Sequence, residues 1–304
     1  MISSAMLEVL QGIVPKENIH LQEPMATHTT FRVGGAAECF VEIQNAQELQ
    51  KVQRYLYQVE YPFTVVGNGS NLLVSDNGYE GIVLQLGKRM SEIKVSGNVI
   101  TAQSGASMAQ AATAALQNGL TGLEFASGIP GTVGGGVVMN AGAYGGELSQ
   151  VVTQVQVLDK NSEFLTLDND TMEFGYRRST IRQRPFIVTE VVFELSPGDP
   201  ADIRAKMDEL AVRRREKQPL EFPSAGSTFK RPEGHYAGEL IMKANLRGFQ
   251  VGGARVSDKH CGFVINAGNA SAADIMDVIW EVQRRVKERF GVELEPEVVF
   301  LGEF

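Results

Sequence analysis

The stretch SGIPGTVGGGVVMNAGAYGGEL, from Ser127 to Leu148, decides how this sequence is interpreted. Eight of its 22 residues are glycine, and it contains neither lysine nor arginine. Many of its other residues are apolar, whereas flexible linkers are polar. Because glycine lets a backbone approach a ligand closely, we expect the segment to lie against a flat, largely neutral ring with donor and acceptor edges. We also expect its glycines to break any helix or strand.

A second glycine motif, GNGSN, covers residues 67–71 and follows the buried strand pattern PFTVV. Leu72 stands where a GxGxxG dinucleotide fingerprint has its third glycine, and no helix pattern follows, so that fingerprint fails. The chain has no GxxxxGK[ST] sequence, which excludes a P-loop. Small residues in a turn expose main-chain N–H groups, which can bind a phosphate or pyrophosphate without lysine. A tight hairpin turn is the alternative interpretation.

Composition limits the class of protein. The chain has 304 residues, a formal net charge of -8 and a pI of about 5.2, which argues against a general nucleic-acid or anionic-membrane binder. Cys39, Cys261 and four scattered histidines lack metal-ligand spacing, so we expect two buried thiols and no metal site. No signal-peptide pattern and no 18-residue apolar run occurs, and we therefore expect a cytoplasmic protein.

Helical periodicity, capping residues and terminating glycines or prolines predict one short amphipathic helix and four longer ones. Their segments are 5–14, 45–58, 107–119, 199–219 and 271–291. Strand patterns outnumber these helices and do not alternate with them, which favours an α+β fold. They include RVSDKHCGFVIN (255–266) and VELEPEVVFL (292–301). LSPGDPAD (195–202) is the best candidate for a linker between domains, and a weaker boundary falls near residues 95–100.

Six sequence blocks follow one another along the chain: TTFRVGGAAECFVE, VVGNGSNLLVSD, GLEFASGIPGTVGGGVVMNAGAYGGEL, FGYRRS, SAGSTFKRP and ELEPEV. The same blocks occur in this order in UDP-N-acetylenolpyruvoylglucosamine reductases, the MurB family. The chain thus resembles this family from about Thr29 to Val299. The resemblance implies a flavoenzyme of peptidoglycan precursor synthesis. With FAD and NADPH, it would reduce the enolpyruvyl ether of UDP-N-acetylglucosamine to UDP-N-acetylmuramate.

The resemblance also implies a domain organisation. Two lobes, residues 1–98 and 99–197, would form an FAD-binding module of the vanillyl-alcohol-oxidase type. A third α+β domain, residues 198–304, would bind the substrate, with its C-terminal strand returning to the active site. Residues 62–148 contain neither histidine nor cysteine, so we expect non-covalent FAD.

In the resembling family, GNGSN would hold the FAD pyrophosphate, and residues 127–146 would line the isoalloxazine ring and its linker. The implied FAD-binding residues are Gly67, Asn68, Gly69, Ser70, Asn71, Leu72, Ser127, Gly128, Gly131, Thr132, Gly134, Gly135, Asn140, Gly142, Ala143, Tyr144 and Gly145.

Reducing an enolpyruvyl ether requires a hydride at C3, stabilisation of charge at the carboxylate, and a proton at C2; flavin N5 would supply the hydride. The resemblance assigns charge stabilisation to Arg177 and Glu297, and proton donation to Ser227. A protonated Glu297 would need a raised pKa in a dry site. Without the resemblance, Arg177 is a surface arginine, Glu297 shares a solvated strand face with Glu293 and Glu295, and Ser227 is a loop serine.

Candidate contacts to the UDP-sugar come from aromatic and basic residues. They are Tyr176, Arg214, Lys217, Lys230, Arg231 and His260. Basic residues at the end of a helix, as in RRREK (213–217), also simply complement its dipole. TIRQRP (180–185) resembles the loop of the short-loop subclass, which leaves open what closes over the substrate. We expect a monomer that binds neither nucleic acid nor membrane.

Two alternatives stay open. One is another flavoenzyme of the same fold, such as a sugar or hydroxy-acid oxidase, although Arg177, Ser227 and Glu297 all lie in motif. The other is a non-catalytic nucleotide-sugar binding protein, which leaves residues 127–146 without a role. A flavin absorption spectrum separates the binding protein from both enzymes, and substrate-dependent NADPH oxidation separates the two enzymes.

Overall fold

Capping residues set the starts of the long helices in the computed structural model, which describes residues 2–304. Asn45, Ser107 and Ser271 each accept a hydrogen bond from the main-chain N–H three residues later, as predicted. The helices are α1 (Ser4–Gln11), α2 (Ala46–Gln58), α3 (Met108–Gln117), α4 (Val133–Val138), α5 (Pro200–Lys217), α6 (Ala237–Lys243) and α7 (Ala272–Phe290).

Most strands are short. They are β1 (Ile19–Pro24), β2 (Ala36–Glu42), β3 (Phe63–Val66), β4 (Leu72–Val74), β5 (Tyr79–Gln85), β6 (Ile93–Ser96), β7 (Val99–Gln103), β8 (Leu120–Thr121), β9 (Gly142–Ala143), β10 (Gly146–Glu147), β11 (Val152–Leu158), β12 (Phe164–Asp168), β13 (Ile187–Glu194), β14 (Ser196–Pro197), β15 (Gln250–Val251), β16 (Ala254–Val256), β17 (Val264–Asn266) and β18 (Val299–Leu301).

The chain forms two compact units. Unit 1 comprises Met1–His20, Cys39–Asn68 and Gly81–Arg214, and unit 2 comprises Leu21–Glu38, Gly69–Glu80 and Arg215–Phe304. No helix within residues 2–304 is long and apolar enough to cross a membrane.

Unit 1 contains two hydrophobic clusters. One surrounds an antiparallel sheet of order β12-β11-β13-β7-β6, where side chains of α3 and α4 pack on strand residues such as Val155 and Val191. The other joins α1 and α2 to strands β2 and β5 and includes the buried thiol of Cys39. Burying one such Val or Leu side chain stabilises the fold by about 1.5–3 kcal/mol.

Unit 2 is organised around α7. The apolar face of α7 predicted from periodicity, Ile275, Val278, Ile279, Val282 and Val286, is buried in one cluster with residues of the three-stranded sheet β15-β16-β17. Cys261 is buried in the same cluster. The last strand, β18, pairs in parallel with β4.

The predicted strand over 255–266 is wrong, because the structure forms a hairpin there instead. Strands β16 and β17 pair antiparallel and are connected by residues 257–263. The Ser257 hydroxyl accepts hydrogen bonds from the main-chain N–H groups of Lys259 and His260. This local turn replaces strand pairing in the loop.

The predicted strand over 292–301 is also mostly absent, since only Val299–Leu301 form one. Pro296 has no N–H to donate to a ladder, and it makes only an isolated bridge with Phe229. Glu293, Glu295 and Glu297 therefore do not share a strand face.

The expectation that glycines break any helix between residues 127 and 148 is wrong as well, since α4 lies inside this segment. Thr132 caps α4 by accepting a hydrogen bond from the Gly135 N–H across 3.2 Å. A β-carbon on Gly134 would lie 2.8 Å from Cβ of Ser104, so close packing requires glycine there. Tertiary packing thus compensates for low helix propensity.

The predicted lobe boundaries fall in a hairpin turn and at the end of a paired strand. Between residues 98 and 99 the chain is turning from β6 into β7, which pair antiparallel. At the predicted linker, Ser196–Pro197 pair with Leu120–Thr121. The compact units change over between Arg214 and Arg215, and the division into three lobes stays a prediction.

Candidate active site

The GNGSN segment presents a run of main-chain donors. Within residues 2–304, the N–H groups of residues 67–71 donate to no protein acceptor. Gly69 has φ 59°, and a β-carbon there would lie 2.0 Å from the carbonyl oxygen of His28. A β-carbon on Gly67 would lie 2.3 Å from Oγ1 of Thr132. Gly69 is therefore required by its backbone conformation and by the His28 main chain, and Gly67 by the Thr132 side chain. Successive N–H groups of this kind bind phosphate.

Gly135 tests whether residues 127–146 fit a flat cofactor. It is exposed on α4, and a β-carbon there would make only an ordinary contact, 3.4 Å from Oγ1 of Thr132. Glycine in a helix costs about 1 kcal/mol relative to alanine. Packing within the chain does not require glycine here, and the absence of a side chain leaves this exposed surface open to a flat ligand. The residues present thus fit the isoalloxazine ring expected at this segment.

A tight hairpin carries the aromatic residue of the same segment. Strands β9 and β10 are joined by Tyr144 and Gly145, whose φ values are 55° and 91°. The Tyr144 ring lies under the guanidinium groups of Arg213, at 4.9 Å, and Arg214, at 5.7 Å. Burial lowers the pKa of Arg214, and the neighbouring Tyr144 opposes that shift.

Arg214 also lies against the glycine segment. A β-carbon on Gly128 would lie 1.8 Å from its Nη1 atom. The structure thus places this predicted substrate contact beside two predicted FAD-binding residues, Gly128 and Tyr144. Arg213 contacts the same Tyr144 ring, although the sequence did not single it out as a candidate site residue.

Arg177 lies in a tight turn that is tied to the glycine segment. The main chain of Gly175 and Arg178 pairs on both sides of the turn, and Arg177 has φ 54°. Nη2 of Arg177 donates to the carbonyl oxygen of Gly142 across 3.2 Å, and the guanidinium lies 5.2 Å from the Tyr176 ring centre.

The buried amide of Asn140 makes a second connection between the glycine segment and the Arg177 turn, through hydrogen bonds. Its Nδ2 donates to the carbonyl oxygen of Gly175, and its Oδ1 accepts from the Ser149 N–H. In unit 1, three predicted site residues, Asn140, Gly142 and Arg177, are therefore brought together.

In unit 2, a short main-chain ladder holds Ser227 and Glu297 on adjacent segments. The Glu297 N–H donates to the carbonyl oxygen of Thr228 across 2.8 Å, and the Lys230 N–H donates to that of Glu295. Oγ of Ser227 donates to the carbonyl oxygen of Phe229. Nδ2 of Asn71, from the GNGSN segment, donates to the Glu297 carbonyl oxygen across 3.0 Å.

Thr228 organises this ladder, although no sequence signal singled it out. It is fully buried, its N–H donates to the Gly262 carbonyl oxygen, and its Oγ1 accepts from the Val264 N–H. Every polar group of Thr228 is therefore used to hold the segment between Ser227 and Phe229.

The predicted basic contacts differ in their surroundings. Lys230 forms an ion pair with Glu295, and the Arg231 guanidinium lies 4.1 Å from the Tyr236 ring centre. Lys217 is exposed at the end of α5. Burial lowers the pKa of His260, which favours the neutral ring, and its contact with the UDP-sugar stays a prediction.

Known protein families match two parts of the chain. The FAD binding domain family matches residues 37–168. The family described as UDP-N-acetylenolpyruvoylglucosamine reductase, C-terminal domain, matches residues 218–301.

Close relatives cover nearly the whole chain. The UDP-N-acetylenolpyruvoylglucosamine reductase of Geobacillus thermodenitrificans is 51% identical over 97% of this chain and 96% of its own length. That of Caldanaerobacter subterraneus subsp. tengcongensis is 47% identical over 99% of this chain and 100% of its own.

The crystal structure of the Thermus caldophilus reductase (MurB) superposes with a TM-score of 0.80. It is 33% identical in sequence and covers 93% of this chain and 98% of its own. An alkyldihydroxyacetonephosphate synthase structure reaches a TM-score of 0.50 at 14% identity over 65% of this chain and 41% of its own, which shows a shared fold alone.

These matches confirm the predicted fold class, an α+β chain with an FAD-binding module of the vanillyl-alcohol-oxidase type and a substrate-binding domain. They also confirm FAD as the cofactor and the assignment to the oxidoreductases. Near-complete coverage at about half identity leaves one conclusion: the chain belongs to the UDP-N-acetylenolpyruvoylglucosamine reductase family.

Proposed function

We propose that this chain uses FAD and NADPH to reduce the enolpyruvyl ether of UDP-N-acetylglucosamine to UDP-N-acetylmuramate. Its family membership supports this activity. The main-chain ladder that holds Ser227 and Glu297 on adjacent segments supports the catalytic roles proposed for these two residues. We further propose a monomeric, cytoplasmic enzyme.

FAD, when bound, supplies the hydride that C3 of the enolpyruvyl group receives. The N–H groups of residues 67–71 hold its pyrophosphate, because they form a run of donors without a protein acceptor, next to two positions where only glycine fits. Residues 127–146 line its ring, and exposed Gly135 permits the close approach.

Arg177 binds the substrate carboxylate and stabilises the charge that develops there. Its planar guanidinium matches a carboxylate geometrically, and the hydrogen bond to Gly142 fixes its orientation. Glu297, in its protonated form, donates a hydrogen bond to the same carboxylate. Ser227 donates the proton that C2 receives.

The UDP moiety binds to the basic and aromatic residues, Tyr176, Arg214, Lys217, Lys230 and Arg231. Lys230 must exchange the Glu295 carboxylate for a phosphate oxygen, because the two side chains form an ion pair in the structure. Arg214 is already oriented by Tyr144.

The two half-reactions, followed separately by stopped-flow absorbance, test this function. Ser227→Ala should let NADPH reduce the flavin at the wild-type rate but slow reoxidation by the enolpyruvyl substrate about 10²-fold or more, since general acid catalysis contributes that much. Ser224→Ala, in the same SAGS motif, is the control.

Two results would contradict the proposal at different levels. If the flavin of Ser227→Ala is reoxidised by substrate at the wild-type rate, Ser227 is not the proton donor. If the enolpyruvyl substrate does not reoxidise the reduced wild-type enzyme, the reductase function itself is wrong.

A further inference from the structure

The loop between β16 and β17 contains a half-buried histidine, His260. Nδ1 of His260 accepts a hydrogen bond from the Gly262 N–H across 3.1 Å. An acceptor nitrogen carries no proton, so the imidazole is the neutral tautomer with its proton on Nε2. The ring also packs edge-on against Phe263, with ring centres 5.0 Å apart.

Gly262 separates His260 from Ser227. A β-carbon on Gly262 would lie 2.9 Å from Cε1 of His260 and 3.7 Å from Oγ of Ser227. The imidazole and the serine hydroxyl thus flank the same glycine, and a larger residue would push the imidazole away.

A continuous series of hydrogen bonds leads from His260 to both proposed reaction groups of unit 2. The Gly262 N–H donates to His260, and the Gly262 carbonyl oxygen accepts from the Thr228 N–H across 2.8 Å. The Thr228 carbonyl oxygen accepts from the Glu297 N–H, also across 2.8 Å. Thr228 directly follows Ser227 in the chain.

We propose that His260 is a positioning residue for the proton-transfer step: its neutral Nδ1 orients Gly262, which fixes Thr228 and thereby sets Ser227 relative to Glu297. This inference rests on the proposed function, since it assigns His260 to the support of that site. It differs from a role as a cation for the substrate diphosphate, because a protonated imidazole has no acceptor on Nδ1.

The surroundings of His260 favour the neutral ring. Burial is the main reason that its pKa lies below the ordinary histidine value of about 6.5. Gly238 of α6 packs on its ring, and the adjacent Glu239 carboxylate pairs with Lys243.

The ionisable neighbours in the His260 loop have other partners. Oδ2 of Asp258 lies 3.8 Å from Nε of Arg255, and Nζ of Lys259 donates a hydrogen bond to the Arg215 carbonyl oxygen. Cys261, whose pKa is raised by burial, is the remaining ionisable neighbour in this loop. Protonation of His260 at acid pH should therefore break the bond to Gly262.

Two substitutions separate the acceptor from the imidazole. His260→Asn keeps an acceptor, because an asparagine oxygen readily accepts from the N–H two residues later. His260→Leu keeps apolar volume without an acceptor. His20→Asn, at the solvent-accessible end of β1 beside Glu42, is the control.

In stopped-flow half-reactions at pH 7.5, His260→Leu should slow substrate-driven flavin reoxidation about tenfold or more, since misplaced reacting groups cost that much. Flavin reduction by NADPH should change less than about twofold. His260→Asn should recover most of the reoxidation rate and lose the acid limb below pH 6.5 that the wild type and His20→Asn show.

A spectroscopic measurement tests the arrangement without turnover. Histidine ¹⁵N shifts in the holoenzyme should show His260 protonated on Nε2 alone at pH 7.5. A proton on Nδ1 would overturn the inference, and this readout does not depend on folding of the variants.

The kinetic outcomes are equally decisive. The inference is wrong if His260→Leu reoxidises at the wild-type rate, or if His260→Asn is as slow as His260→Leu. Failure of the wild-type enzyme to react with the enolpyruvyl substrate would instead contradict the reductase function.

Discussion

Nη2 of Arg177 is hydrogen-bonded to the carbonyl oxygen of Gly142, 3.2 Å away. The backbone of Arg177 adopts φ 54°, a region that non-glycine residues occupy at a cost of about 1 kcal/mol or more. Asn140 holds the same turn through Gly175. Two independent hydrogen bonds thus hold the Arg177 turn against the glycine segment. Strained backbone that is held in this way is typical of functional sites.

We therefore expect Arg177→Lys to impair the substrate half-reaction despite the retained charge. A lysine ammonium is a compact point charge and cannot reproduce the planar fork that meets both Gly142 and a carboxylate. Reoxidation by the enolpyruvyl substrate should slow about 10²-fold, the loss expected for one transition-state donor. Stopped-flow absorbance measures it.

Arg178→Lys, at the exposed neighbouring arginine, is the matched control. Equal reoxidation rates for the two variants would show that the guanidinium of Arg177 has no special role.

Two neighbouring glycines of α4 should respond oppositely to alanine. Gly135→Ala should stabilise the flavin-free chain by up to about 1 kcal/mol, because alanine favours the helix and meets no close contact. It should weaken FAD binding, because the new methyl group occupies the surface assigned to the ring. Urea unfolding and FAD titration measure the two effects.

Gly134→Ala is the comparison for this prediction. Its methyl group would lie 2.8 Å from Cβ of Ser104, and overpacking of this kind costs about 1–3 kcal/mol. If Gly135→Ala binds FAD as tightly as the wild type, residues 127–146 do not approach the ring at this point.

The helix boundaries could be predicted because their signals are local. Ser107 and Gln110 satisfy each other's main-chain N–H groups within one turn, and Ser271 and Asp274 do the same. The helix α4 could not be predicted in this way. Its glycines have low helix propensity, and the packing of Gly134 on Ser104 becomes visible only in three dimensions.

The candidate site likewise contains residues that the sequence indicated and residues that it did not. The sequence singled out Ser227 and Glu297 by resemblance, but their common support, Thr228, carries no pattern of its own. Its partners Gly262, Val264 and Glu297 are more than thirty residues away. Long-range hydrogen bonds of this kind leave no periodicity to read.

Thr228→Val tests this support through stability. Valine has nearly the same shape but no hydroxyl, so the buried Val264 N–H loses its acceptor. We expect the free energy of unfolding to fall by about 1–3 kcal/mol, the cost of a buried donor left unsatisfied. Chemical unfolding measures the change.

Thr153→Val, at a half-buried hydroxyl whose bond to Val192 is 3.4 Å long, provides the comparison. A loss no larger than in Thr153→Val would mean that the Thr228 hydroxyl contributes little.

An ion-pair cluster on α7 predicts an acid-dependent component of stability. Glu281 accepts hydrogen bonds from Arg284 and Arg285, and these partners lower the pKa of its carboxyl from 4.5 to about 2. Because the folded-state pKa is depressed, this contribution is present above the unfolded-state value and is lost as the pH falls from about 5 to about 2. Glu281→Gln should therefore flatten the decline in unfolding free energy over that range, by about 1 kcal/mol after solvent screening. Urea unfolding at pH 7, 5, 4 and 3 measures it.

Asp277→Asn, one turn earlier on α7, is the control, since its carboxylate forms no ion pair within residues 2–304. If the unfolding free energies of Glu281→Gln and the wild type decline in parallel as the pH falls, solvent fully screens the ion pairs of Glu281, and they contribute no pH-dependent stability.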